Sequence, residues 1–286
     1  MTLPGVLFVL IFSYIPMIGV IVAFQDYSVS KGFFGSPWVG LKHYSAMFSD
    51  PTFWRAAKNT VFLSAYGIML GFPAPLILAL ILNEIPFLRY KKMVQTASYL
   101  PYFVSFVLVA QLWIEFLEPK GVVNQLLLSA GIIKQPIEFW TDPKLFRIMA
   151  TAVNIWKGAG WGAILYLAAL AGLNEEMYEA AVIDGARRLR RLWSITLPSM
   201  LNIITVLFIL GIASLVRGSI DTSVLLGNIF NREVSYVVEY YTVEMGIQLG
   251  RYSFATAIGL FQSALAMTLV LGTNWLSGRL GGRRIF

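Results

Sequence analysis

The sequence predicts an all-α integral membrane protein with six transmembrane helices, and three observations carry that reading. Of 286 residues, 57% are hydrophobic and only 13% charged, and the mean hydropathy is +0.70. Windows of roughly 20 apolar residues, the length a helix needs to cross the hydrocarbon core, occur near 3–24, 60–82, 93–117, 146–171, 199–218 and 254–276. One long polar stretch, Glu179 to Pro198, reads EAAVIDGARRLRRLWSITLP and stands between two of these windows. Membrane proteins usually keep such connections short.

The first window lacks a basic flank and a small-residue cleavage pattern, so it reads as a span and not as a signal peptide. Before the second window, Gly40 to Thr60 has the pattern of a short amphipathic helix, with Asp50-Pro51 as a helix start. The segments 118–145 and 219–253 contain Trp140, Tyr236, Tyr240 and Tyr241, aromatic side chains suited to the outer membrane interface or to a docking partner. Basic residues crowd the loop 83–92 (Arg89, Lys91, Lys92), the 172–198 loop (Arg187, Arg188, Arg190, Arg191) and the tail (Arg279, Arg283, Arg284). That density predicts a multi-pass protein with both termini and the 172–198 loop in the cytoplasm. No repeat divides the chain, so residues 1–286 read as one transmembrane domain.

Several functions lack the residues they need. There is no cysteine, and the lone His43 supplies neither a metal set nor a proton relay. No phosphate-cradling G-x-x-x-x-G-K-[ST] string occurs, so any ATP used must be bound elsewhere. No nucleophilic set can be assembled, and the chain is expected to do no covalent chemistry. The net charge of +7 sits in the loops of a membrane protein and does not argue for nucleic acid.

The polar stretch has its own physics. Asn174 is a good N-cap, and Glu175 and Glu176 suit the positive end of a helix dipole. Ala180 and Ala181 let another backbone come close, Asp184 is a turn former, and Gly185 can take the left-handed conformation that ends a helix. A second helical run, Ala186 to Ile195, is expected to lead back to the membrane, with Pro198 marking the next span. The expected product is a short helix lying across the end of the bundle. The four arginines also fit an interfacial anchor on anionic headgroups.

This stretch resembles the EAA motif (E-A-A, three residues, G, nine residues, I-x-L-P) of the permease subunits of bacterial ABC importers, with Glu179, Ala180, Ala181, Gly185, Ile195, Leu197 and Pro198 at the family spacing. Gly40-Leu41-x-x-Tyr44 and Phe53-Trp54…Asn59-Thr60 are similar to strings that precede the second span in sugar permeases. The resemblance, greatest to the larger permease of the maltose type and to polysaccharide permeases, implies a type I ABC importer fold with a cytoplasmic coupling helix, in a bacterial inner membrane. It implies that Glu179, Ala180, Ala181, Asp184 and Gly185 couple to the ATPase. The implied partners are a second permease, two ATP-binding subunits that use ATP and Mg, an extracytoplasmic solute-binding protein and a sugar, with membrane lipid around the bundle.

An ionisable group deep in a span costs about 2.5–3.5 kcal/mol on insertion scales and points to function by default. Lys157 lies near the centre of the 146–171 window, among Asn154, Gly158 and Trp161. The resemblance places Lys157, Gly158 and Trp161 on the substrate path by a gapless count back from the motif. It makes Ser214, Arg217 and Gly218 candidates at the end of the fifth span, where Arg217 can pair with Asp221 at i,i+4. Cations here depart from the small polar and amide side chains of the maltose type. Two cations facing one cavity would suit a carboxylated sugar, and an acidic oligosaccharide such as an alginate- or pectin-derived uronate oligomer is the expected cargo. On that expectation Lys157→Met depresses uptake of acidic sugars more than of neutral ones. The alternatives are a Lys157 ion pair with a partner subunit, Arg217 reaching to the outer surface, a permease for neutral oligosaccharides or glycerol phosphates, and a nucleotide-independent channel or scaffold.

Overall fold

A computed structural model describes residues 2–212, 216 and 219–279. Among them the regular elements are helices, and the sole β feature is an isolated antiparallel bridge between Gln25 and Trp38. Helix α1, Leu3–Phe24, is apolar all round and buries only Val22 and Ala23. After the bridged loop come α2, Lys42–Ser49, and α3, Pro51–Asn83. The Asp50 carboxylate accepts from the Thr52 amide at 2.7 Å and caps α3, as the Asp-Pro pair predicts. Midway, the Phe72 amide reaches back five residues to the Gly67 carbonyl at 3.1 Å. This wide turn fits a helix in which Pro73 and Pro75 have no N–H to offer.

The third window is not one continuous span. It forms α4, Leu88–Phe103, and α5, Phe106–Leu117, and the chain bends by 104° between α4 and the Phe106–Ser129 stretch that α5 begins. Pro101 removes a helical donor, Val104 and Ser105 turn extended (ψ 138° and 146°), and the Ser105 hydroxyl caps the Leu108 amide at 3.4 Å. The short α6, Val122–Ser129, follows.

Helix α7, Pro143–Ala171, has 29 residues and starts at a cap from Asp142 to the Lys144 amide. At 1.5 Å per residue it spans about 44 Å. It packs against α3 and α4 along its length. Small residues permit that approach: a Cβ on Gly160 would stand 1.9 Å from the Ser98 carbonyl oxygen of α4, and one on Gly162 would stand 3.0 Å from Pro75 of α3. Helix α8, Glu175–Ile183, follows after a three-residue turn. Helix α9 runs Arg188–Ile212 straight through Pro198, so the expected short run from Ala186 is the start of a single long helix. A wide turn at Leu192–Thr196 accommodates the proline. Helices α10, Ile220–Leu225, and α11, Val238–Val243, close the far end before α12, Tyr252–Arg279.

Four helices, α1, α3, α9 and α12, are long and apolar enough to cross a membrane, and the bent α4–α6 unit makes a fifth. Helix α7 has the length but is polar through its middle, at Asn154 and Lys157.

Three clusters fill the interior. Ala79, Ala163, Tyr166, Leu170 and Met200 join α3, α7 and α9 at the α8 end. Val109, Phe146, Ala150, Val153 and Leu226 pack around the first turns of α7. Met47, Phe53, Tyr236, Tyr241, Phe254 and Ile258 close the far end. Trp140, Tyr236 and Tyr241, expected at an interface, belong to these cores. Their polar tips find internal partners: the Trp140 indole donates to the Trp113 carbonyl at 3.3 Å, Tyr236 bonds Glu244, and Tyr241 bonds Asp50.

Candidate functional site

Helix α8 is held but not covered. The Asn174 side chain accepts from the Glu176 amide at 2.9 Å, and Glu175 and Glu176 occupy the first turn. At the other end Gly185 has φ +74°. The Ala186 amide donates to the Ala181 carbonyl at 2.8 Å and the Gly185 amide to Val182 at 3.0 Å, the paired bonds of a Schellman stop. The Tyr178 hydroxyl, 2.8 Å from that of Thr196, ties α8 to the start of α9. No residue of α8 is buried. Glu179, Ala180, Asp184 and Gly185 are exposed and Ala181 is half-exposed. Beside them Met177, Val182 and Ile183 are also exposed, Ile183 at 86%. These three apolar side chains escaped the sequence reading, although apolar residues on a loop with no span to join are themselves a docking signal.

The middle of α7 presents two different faces. Towards α4, Lys157 donates to the carbonyls of Pro101 (3.3 Å), Tyr102 (2.7 Å) and Val104 (2.8 Å), at the break after α4. Its ammonium lies 5.3 Å from the Tyr102 ring centroid, and Trp161 stacks on that ring at 4.5 Å and 4°. All three ammonium donors therefore have acceptors, and the cation sits at the negative end of a helix. The charge that was expected to face cargo is paired with backbone.

Towards α3, Asn154 and Gly158 line a cavity of about 430 Å³ with Ser64, Thr151, Ser219 and Thr222. The Asn154 amide donates to the Ala150 carbonyl at 2.8 Å and to the Thr222 hydroxyl at 3.1 Å, which in turn donates to Ser219 at 2.9 Å. The cavity is thus furnished with neutral hydroxyls and one amide. Of the expected path residues, Asn154 and Gly158 share this cavity, while Lys157 and Trp161 belong to the α4 face. Ser214, Arg217 and Gly218 lie outside the described residues, and so does the expected Arg217–Asp221 pair. Ser64, Ser219 and Thr222 went unnoticed in the sequence because isolated hydroxyl residues at the ends of distant windows carry no local pattern.

At the far end, Asp50 and Tyr241 share a hydrogen bond. Burial alone would raise the Asp50 carboxyl, but bonds from Tyr241, Thr52 and the Phe53 amide hold it below the usual range. Burial, then the Asp50 contact, pushes the Tyr241 phenol up; burial, then Glu244, does the same for Tyr236.

Residues 67–283 match the family described as binding-protein-dependent transport system inner membrane component. The chain belongs to that family. The permease is 42% identical to protein LplB of Bacillus subtilis (strain 168) over 285 residues, 99% of this chain and 89% of the relative. It is 40% identical to the polygalacturonan/rhamnogalacturonan transport system permease protein YteP of the same organism over 287 residues, 100% of this chain and 89% of the relative. It also superposes, with a TM-score of 0.89 and 39% identity, on a chain of a bacterial ABC transporter involved in the import of the acidic polysaccharide alginate, covering 97% of this chain and 93% of that one. A second structure, the alginate transporter in complex with alginate pentasaccharide-bound periplasmic protein, gives a TM-score of 0.90 at 38% identity, over 99% of this chain and 94% of that one. The permease is a multi-pass inner-membrane component of a transport system, and its fold is that of ABC importer permeases.

Proposed function

We propose that this permease carries an acidic oligosaccharide, of the alginate or pectin kind, into the cell. A solute-binding protein delivers the sugar from outside, and a second permease completes the path. Two ATP-binding subunits hold ATP and Mg and act on α8 from the cytoplasm, where both termini also lie. The observation that carries the reading is the agreement of two likenesses that span nearly all of this chain: a polygalacturonan/rhamnogalacturonan transport permease at 40% identity and a chain of an alginate importer at a TM-score of 0.89.

The geometry of α8 supports the coupling part. Glu179, Ala180, Ala181, Asp184 and Gly185 stand clear of the bundle with Val182 and Ile183 beside them, a face whose burial awaits a partner. Closure of the ATPases displaces α8, and its stop at Gly185 and its Tyr178–Thr196 tether pass that displacement to α9. Within the bundle, Asn154 and Gly158 face the cargo through the α3–α7 cavity. Lys157 and Trp161 hold the α4 break that shapes the path beside it. Ser214, Arg217 and Gly218 are proposed to continue the path on sequence grounds alone.

The test is uptake by proteoliposomes holding the whole complex. Tetragalacturonate or an alginate tetramer should be accumulated with ATP and the binding protein, and not when either is withheld. Accumulation of maltotetraose or glycerol phosphate in their place would reject the acidic cargo, and uptake that ignores ATP would reject the importer.

A further inference from the structure

We propose that Arg147, one turn of α7 before the first lining residues of the α3–α7 cavity, pairs with a carboxylate of the cargo; the inference rests on the acidic-cargo reading above. Positions 147, 151, 154 and 158 recur at helical spacing and share one face of α7. Thr151, Asn154 and Gly158 line the cavity, and Arg147 stands one turn before Thr151 on the helix. Its guanidinium lies 4.8 Å from the centroid of the Phe62 ring of α3. One nitrogen, Nη2, donates to the Asn59 side-chain oxygen at 3.3 Å. Asn59 is buried, and its amide nitrogen donates to the carbonyls of Glu233 (2.7 Å) and Tyr236 (3.1 Å). That orientation leaves the Asn59 oxygen as a fixed rest for the arginine.

What Arg147 lacks is an anion. Among the described residues no carboxylate lies within 4.0 Å of it, and its Nε is buried without an acceptor. A half-buried cation bound by one neutral contact and a ring face is under-compensated. A guanidinium presents parallel N–H groups that match a carboxylate. Of the other cations nearby, Lys58 lies 6.0 Å from the centroid of the same Phe62 ring but is exposed, so water can serve its charge. Lys157 has its donors on carbonyls, and Arg232 is paired with Glu244 at 3.0 Å. Arg55, one turn outward of Asn59 on α3, is exposed and adds positive charge on the approach. A uronate meeting Arg147 would set its hydroxyls against the Asn154, Thr222 and Ser219 groups of the cavity, so the charge is read one turn before the groups that read the sugar ring.

The experiment compares initial uptake of radiolabelled tetragalacturonate by complete complexes carrying wild-type chain, Arg147→Gln or Arg147→Lys. Glutamine keeps a donor for Asn59 but no charge, whereas lysine keeps the charge. We expect uptake to fall about ten-fold in the glutamine variant and to stay within three-fold of wild type in the lysine variant. Unchanged uptake with glutamine, or equal loss in both variants through failed assembly or failed transport, overturns the assignment. Wild-type complexes that accumulate maltotetraose but no tetragalacturonate would remove the cargo reading itself, and the role of Arg147 with it.

Discussion

The ammonium of Lys157 lies 2.7 Å from the carbonyl oxygen of Tyr102, and the ring of the same tyrosine lies 5.3 Å from it. One side chain of α7 therefore holds both the backbone end and the side chain of α4 at the point where the chain turns by 104°. Backbone carbonyls released by a helix break inside a bilayer need donors from the protein. A lysine reaching from the next helix supplies them, and the break in turn gives the lysine acceptors.

Lys157→Met should accordingly lower stability and transport without regard to cargo charge. The Pro101 carbonyl keeps the Val104 amide at 3.3 Å, but the Tyr102 and Val104 carbonyls lose the lysine, at about 1–3 kcal/mol each where the bilayer keeps water away. Thermal unfolding of the purified complex should shift downward, and uptake of acidic and neutral sugars should fall by similar factors. A loss confined to the acidic sugar would return the lysine charge to the cargo.

Gly185→Val should weaken the grip of the ATPase subunits. At φ +74° a β-branched residue is strained, and replacing a glycine there costs about 1 kcal/mol or more. The strain falls on the stop of α8, away from the three interior clusters. Retention of ATPase subunits on co-purification should drop several-fold, while α-helical content measured by circular dichroism stays as in wild type.

Ile183→Asp tests the apolar part of the same face. The side chain is 86% exposed, so the bundle alone should tolerate the change to within about 0.5 kcal/mol. Docking should not, because a buried carboxylate without a partner is costly. ATPase stimulation by loaded binding protein is the readout, and an undiminished signal would place the ATPase contact elsewhere.

Gly160→Val should damage the crossing of α4 and α7. A Cβ at that position would meet the Ser98 carbonyl at 1.9 Å, and that obstacle is backbone that cannot swing aside. Overpacking of this kind costs about 1–3 kcal/mol. A lower unfolding temperature is expected, with Gly158→Ala, which meets nothing within 4 Å, close to wild type.

Alkaline pH should loosen the far end. The Tyr241 phenol is raised by burial and by Asp50, so the stability it contributes is complete below the ordinary tyrosine value of about 10. That contribution is lost as pH climbs past this value towards the raised one in the folded state. Asp50 behaves in the opposite sense, since its lowered carboxyl loses its contribution as pH falls below about 4. In detergent, the unfolding temperature should decline above about pH 10, and Tyr241→Phe should flatten that decline.

Much of α8 was legible because its signals are local. A cap at Asn174, acids in the first turn and a glycine stop act within a few residues of one another, and each took the predicted geometry. The helical class and most of the crossings were legible for a similar reason, since a run of about 20 apolar residues has few other ways to meet a bilayer. The break between α4 and α5 was harder to see. Pro101 hints at it, yet proline is tolerated within many membrane helices, and the donor for the Tyr102 and Val104 carbonyls is Lys157, more than fifty residues away.

The cavity was less legible still. Its hydroxyls come from α3, α7, the cap of α10 and α10 itself, and each looks ordinary in its own stretch of chain. The same holds for charge: hydropathy marks Lys157 as conspicuous and Arg147 as a residue at the edge of a window, whereas the fold gives the first its acceptors and, among the described residues, leaves the second without a carboxylate. Short-range chemistry wrote the helices and the rod at their end. Which cation is satisfied, and which still seeks an anion, depended on backbone and side chains brought together from afar, because an electrostatic environment is made by neighbours in space.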